Sequence, residues 1–164
     1  MRHMAIEKVK EYFAGYGIAD RILEFDVSSA TVDLAAAALG CEGKRIAKTL
    51  SFDVSGDCVL IVTAGDGKID NRKFKDEFRT KAKMLSREEA GERVGHAVGG
   101  VCPFAVNKDC KVYLDESLKR FKTVFPACGS ANSAIELTIP ELEKYSGFIS
   151  WVDVCKGWRE EEDI

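Results

Sequence analysis

Three prolines, two histidines and no run of apolar residues longer than a strand are the first things this 164-residue chain lacks. Apolar stretches such as Val59-Leu60-Ile61-Val62 are far short of the roughly 20 residues that cross a bilayer, and the N-terminus has no apolar signal-peptide core. The chain therefore reads as cytoplasmic, with no membrane partner. Its six cysteines, at 41, 58, 102, 110, 128 and 155, form no CxxC pair and have two histidines for company. That spacing argues against structural zinc, and without an export signal the thiols read as reduced. A large charge of either sign is missing too. The formal net charge is −3, which argues against a general coat for nucleic acid.

What is present is ordinary in bulk and uneven in detail. Hydrophobic residues make up 46% and charged residues 31%, the balance of one globular domain. Segment 68–87 concentrates Lys68, Arg72, Lys73, Lys75, Arg79, Lys81, Lys83 and Arg87 against Asp70, Asp76 and Glu77, a local excess of five positive charges. Either a solvated face or a surface that meets phosphates explains it. The closing Glu160-Glu161-Glu162-Asp163 reads as an acidic, frayed end, so residues 1–157 are taken as the domain and 158–164 as its tail.

Periodicity gives alternating short elements. Residues 4–15 carry Ile6, Val9 and Phe13 on one helical stripe, ended by Gly15 and Gly17. Phe25 to Val27 reads as a strand and 29–39 as a helix closed by Gly40. Strands 48–54 and 58–64 form a hairpin about Ser55-Gly56-Asp57. Residues 70–78 return to helix, with Phe74 and Phe78 facing inward. Ser86-Arg87-Glu88-Glu89 has the form of a capping box opening another helix. Later come strands at 112–114, 123–126, 134–138 and 148–154, a helical turn at 115–119, and a helix with Pro140 at its first position. Hairpins without sustained βαβ alternation indicate an α+β fold in one domain.

Chemistry concentrates in three places. Lys48 is set into Ile46-Ala47-Lys48-Thr49-Leu50, where its stem packs and its ammonium turns to a cleft. Gly99-Gly100-Val101-Cys102-Pro103-Phe104 and Cys128-Gly129-Ser130-Ala131-Asn132 are loops able to present backbone N–H groups. Together these suit an anionic or ester-bearing ligand.

These segments, with Ala35 to Gly40, Asp70 to Phe74 and Gly129 through Leu137, resemble the YbaK/prolyl-tRNA-synthetase-associated domain family, in order over residues 20–155. The resemblance implies a mixed, partly barrel-like sheet flanked by short helices. It also implies hydrolysis of the ester joining a wrong amino acid to tRNA, without metal or cofactor. Its partner is an aminoacyl-tRNA 3′ end, with proline tRNA and an aminoacyl-tRNA synthetase as further candidates, and a monomer is the default state. Lys48 matches the family's lysine, and Gly99 to Pro103 its Gly-x-x-x-Pro loop. Lys48, Gly100 and Gly129 thereby become candidate catalytic groups. Gly99, Val101, Cys102, Pro103, Ser130 and Asn132 become candidate substrate contacts.

An aminoacyl ester is already activated, so such an enzyme has to orient a water or ribose hydroxyl and stabilise an oxyanion. Lys48 suits anchoring and electrostatic support better than general-base work, since an ordinary lysine is protonated at neutral pH. Two positions depart from the family. Members acting on cysteinyl-tRNA(Pro) have an aspartate where this chain has Ala134, and members acting on alanyl-tRNA(Pro) have a histidine that 125–137 lacks. A small amino acid such as alanine, cysteine or serine fits the glycines bordering the site. Two other functions use the same residues: a non-catalytic module binding tRNA ends or nucleotides, and a small-ester hydrolase with Cys102 as nucleophile and His96 as base. Nothing in the six-residue spacing of that last pair makes them touch.

Overall fold

Four of the five helices begin where a side chain satisfies their first orphan N–H groups. The computed structural model describes residues 5–96 and 100–159. Helix α1 (Ala5–Ala14) buries Ile6, Val9 and Phe13, the stripe its periodicity predicts. Helix α2 (Val32–Leu39) starts with the Thr31 hydroxyl accepting from Leu34 N and stops at Gly40, whose φ of 67° suits glycine. Asp70 caps α3 (Asn71–Phe78), accepting from Arg72 N and Lys73 N. The Lys73 N–H, chiefly, holds the Asp70 carboxyl below its usual range. Reciprocal capping boxes open α4 (Arg87–Val94, from Ser86 and Glu89) and α5 (Ile139–Ser146, from Thr138 and Glu141).

Ten strands complete the described residues: β1 (Leu23–Glu24), β2 (Ile46–Val54), β3 (Asp57–Ala64), β4 (Lys68–Ile69), β5 (Cys110–Asp115), β6 (Thr123–Pro126), β7 (Ser133–Ala134), β8 (Leu137–Thr138), β9 (Ser150–Val152) and β10 (Cys155–Lys156). Six of them form one curled, half-barrel sheet in the order β8-β6-β2-β3-β5-β9. The hairpin β2–β3 is antiparallel, while β2–β6, β3–β5 and β5–β9 are parallel. Its two turn residues, Ser55 and Gly56, have φ of 52° and 92°, the positive values a tight hairpin turn needs. Two small antiparallel ladders, β1–β7 and β4–β10, flank the sheet.

The pleat sorts β2 onto two faces. Ala47 joins Leu60, Val62 and Ala64 in the main core against α1, α4 and α5. The alternate residues Leu50 and Phe52 join Val59, Ile61 and Phe74 of α3, and Ile46 meets Ala35 of α2 and Phe125. Burying Phe74 fully contributes roughly 1.5–3 kcal/mol.

The α+β expectation holds, with local corrections. The stretch 134–138 is two strands, since β7 pairs with β1 and β8 with β6. The early strand is Leu23–Glu24 rather than 25–27, and Val27 is exposed. Pro140 sits second in α5, and the last sheet strand covers three residues of 148–154. Strands β4 and β10 have no signal in the sequence because each is two residues long.

Candidate functional site: a cleft at an interrupted strand edge

Strand β2 is paired along its β3 side from Ala47 to Val54 but discontinuously along the other. There β6 meets it at Ile46 and Ala47. The chain before α4 takes over further on: Leu85 N donates to Ser51 O at 3.0 Å, and Asp53 N to Lys83 O at 2.8 Å. Alternate peptide groups of a strand point to opposite edges. Thr49 shares the parity of Ser51 and Asp53, so its N–H and C=O face the gap between the two ladders.

A cleft of about 440 Å³ opens at that gap and wraps the edge of β2. On one side stand Lys48 and the start of α2, on another the start of α4 with Met84 and Arg87. The inner chamber is formed by Leu85, Ala90, Val101 and Ala134. Ala127 and Ser133 close its floor. Both helices turn their N-terminal ends, the positive ends of their dipoles, toward the opening.

Lys48 is half-buried, and desolvation lowers its pKa, opposed by nearby Cys155 and Asp66 and assisted by Lys68. It lies on the α2–α3 face of the sheet; Thr49 lies on the other. The Thr49 hydroxyl oxygen is buried and has no hydrogen-bond partner among the described residues. An orphaned hydroxyl lining a cleft, beside its own free peptide group, is a place for a polar ligand atom.

The sequence-derived residues divide on placement. Lys48 and Val101 line the cleft. The two glycine loops do come together, but against each other: Gly129 N donates to Gly100 O at 3.0 Å. Any side chain on Gly100 would collide with the Gly129–Ser130 backbone. Ser130 Oγ lies 2.7 Å from Ser133 Oγ and 2.9 Å from Asn132 Oδ1. The Asn132 amide donates to Phe25 O at 2.9 Å, strapping this loop to the chain after β1. Cys102 and Pro103 are buried behind Val101. Gly99 lies outside the described residues.

His96 and Cys102 do touch, contrary to the expectation from their spacing: Sγ is 3.5 Å from Nε2. The contact is not that of a base with its nucleophile. Nε2 lies 2.7 Å from Phe104 O, and since a carbonyl can only accept, Nε2 carries the ring proton. Burial pushes the Cys102 thiol up to about 12 and lowers His96. Both are sealed in the core, and His96 Nδ1 has no partner among the described residues.

Sequence reasoning passed over Thr49, Leu85, Ala90 and Ser133. Thr49 adjoins Lys48, Leu85 adjoins the Ser86 cap and Ser133 adjoins Asn132, but strand-edge pairing leaves no mark on composition. Among the described residues, no three His, Cys, Asp or Glu side chains converge as a metal-ligand set.

The chain belongs to the aminoacyl-tRNA editing domain family, which it matches over residues 27–145. It is 53% identical to the uncharacterized protein YwhH of Bacillus subtilis (strain 168), over 94% of this chain and 99% of that one. It is 29% identical to the proline–tRNA ligase of Lysinibacillus sphaericus over 70% of this chain but 21% of the ligase. Among solved structures, a protein proposed as a trans-editing enzyme for prolyl tRNA synthetase superimposes with a TM-score of 0.83. That pair is 26% identical, covering 96% of this chain and 100% of the other.

Proposed function

We propose that this chain is a free-standing aminoacyl-tRNA deacylase that hydrolyses the ester of a mischarged tRNA carrying a small amino acid. The observation that carries the reading is the two-sided cleft of an editing-family domain, with a cation on one face of an open strand edge and a small apolar chamber on the other. Lys48, with the N-terminal turns of α2 and α4, holds the terminal phosphate and ribose. The aminoacyl group then enters the chamber walled by Val101, Ala90 and Ala134. There the ester carbonyl meets Thr49, whose N–H and hydroxyl serve as donors to the oxyanion that forms when water attacks. The ester C–O bond breaks, the ribose oxygen takes a proton, and the amino acid leaves as its carboxylate. In this reading the packed Gly100–Gly129 loops are the rigid backing of the chamber, and Cys102 plays no chemical part.

Ala134 and the absence of a histidine between 125 and 137 leave the chamber without a charged group to select a polar side chain. Members acting on alanyl-tRNA(Pro) carry that histidine, so the substrate is proposed as a class, a small amino acid, with alanine, serine and cysteine compared directly. The test is single-turnover deacylation of alanyl-, cysteinyl- and seryl-tRNAs on proline and other acceptors. Wild type, Lys48→Ala and Cys102→Ser are compared. Hydrolysis of one substrate, lost in Lys48→Ala and retained in Cys102→Ser, is expected. Binding of tRNA without turnover across the panel overturns the deacylase reading in favour of a binding module.

A further inference from the structure

A second group of nucleophiles lies at the other end of the β2–β3 hairpin. Cys58 and Cys110 are in direct register on the parallel neighbours β3 and β5, and their Sγ atoms are 3.3 Å apart. Adjacent strands lie about 4.8 Å apart, within the roughly 4.4–6.8 Å between Cα atoms that a disulfide spans. Cys58 contributes to the floor of a polar basin of about 670 Å³ whose charges balance, Arg93, Lys108 and Lys111 against Asp57, Glu92 and Asp109. Cys110 is half-buried, whereas Cys58 is buried in the same core as Cys102 and Cys128, so Cys110 is the thiol of the pair that a reagent reaches first. Cys110 Sγ also lies 3.2 Å from the carbonyl oxygen of Arg93, in the last turn of α4. The Cys110 proton therefore goes to that carbonyl, leaving its sulfur facing Cys58.

We propose that Cys58 and Cys110 form a reversible dithiol–disulfide site, oxidised by a low-molecular-weight disulfide that reaches the half-buried Cys110. The Cys110 thiolate attacks one sulfur of the reagent and expels the first thiol. The Cys58 thiolate then attacks the Cys110 sulfur of the mixed disulfide and expels the second. Two protein S–H bonds are lost, one S–S bond forms, and the reagent's two sulfurs leave as thiols carrying the two protons. Burial raises the Cys110 pKa, so the reaction is slow at neutral pH and accelerates about tenfold per pH unit. Oxidation also removes the S–H donor from the Arg93 carbonyl. Helix α4, whose first turn walls the cleft, then keeps Asn107 Nδ2, 2.9 Å from the same oxygen, as its side-chain donor there.

The probe is oxidised glutathione, added to the reduced, folded protein between pH 7 and 9. Acid quench, denaturation, alkylation and peptide mapping follow. The expected result is loss of two alkylatable thiols, with Cys58 and Cys110 in one cross-linked peptide pair and Cys102 and Cys128 still free. Cys58→Ser is expected to halt at a mixed disulfide on Cys110, and Cys110→Ser to take up none. Amide exchange over 91–95 is expected to rise in the oxidised protein. Both thiols remaining alkylatable at pH 9, or a wild-type mixed disulfide that never closes, overturns the site. Unchanged exchange over 91–95 overturns the link to α4.

Discussion

Lys48 and Thr49 are sequence neighbours on opposite faces of one strand, so two functions separate at adjacent positions. Removing the cation in Lys48→Met should weaken capture of the tRNA end. We expect kcat/KM for the edited substrate to fall about 100-fold, with a Tm within a few degrees of wild type. Thr49→Val keeps the shape of the side chain and removes its hydroxyl. Its kcat should fall about tenfold or more with KM nearly unchanged, the pattern of a contact made in the transition state. His96 gives the residue scale a pH signature. Burial lowers its pKa below the unfolded value of 6.5, so the unfolded chain binds more protons once pH drops below about 6.5. Stability against urea should therefore fall as pH goes from 7 toward 5, and His96→Gln should flatten that part of the slope. The sequence pointed to Lys48 through its apolar setting. It gave no hint of Thr49, because a threonine in a strand looks the same whether its edge is paired or open. The His96–Cys102 contact was hidden for a related reason: a spacing of six residues does not encode it.

Elements show the same division between local and non-local information. Ser86 announced a helix start because a cap is a contact within four residues, whereas the Thr31 and Asp70 caps went unread and α2 starts at Val32 rather than at 29. The run 134–138 read as one strand because alternation says nothing about which neighbour each half pairs with. Its break follows from Ile135, which is buried while its N–H donates back to Pro126 O at 3.0 Å. Two stability predictions belong here. Arg79 ends α3 with φ of 63°, a left-handed conformation that favours glycine. Arg79→Gly should raise stability by roughly 0.5–1 kcal/mol, read from the urea midpoint. Gly100→Ala forces a methyl into the Gly129–Ser130 backbone and should cost about 2–3 kcal/mol.

At the scale of the molecule, the basic run has a direction. It begins at β4, caps and fills α3, and ends at Arg87 on the rim of the cleft. Lys73 is tied to Asp153 and to Cys155 O, so it belongs to the scaffold. Lys81, Lys83 and Arg87 are exposed and lead to the opening, where an acceptor stem would lie. Changing all three to Gln should raise KM for full-length tRNA and lower the slope of log K against log salt by about 2. Turnover of a minimal aminoacylated oligonucleotide should be spared.

The interrupted edge of β2 has a bearing on solubility as well. A strand edge with free peptide groups is a template on which other chains can add, and proteins commonly shield such edges. Here the opening runs about four residues, from Ala47 to Ser51, with Thr49 its single outward-facing position, closed on one side by the ladder to β6 and on the other by the chain at 83–85. At about 3.3 Å of rise per residue, it admits one ligand group and is too short to seed an added strand. The protein can thus keep peptide hydrogen-bonding groups open to solvent without inviting its own copies to polymerise along them.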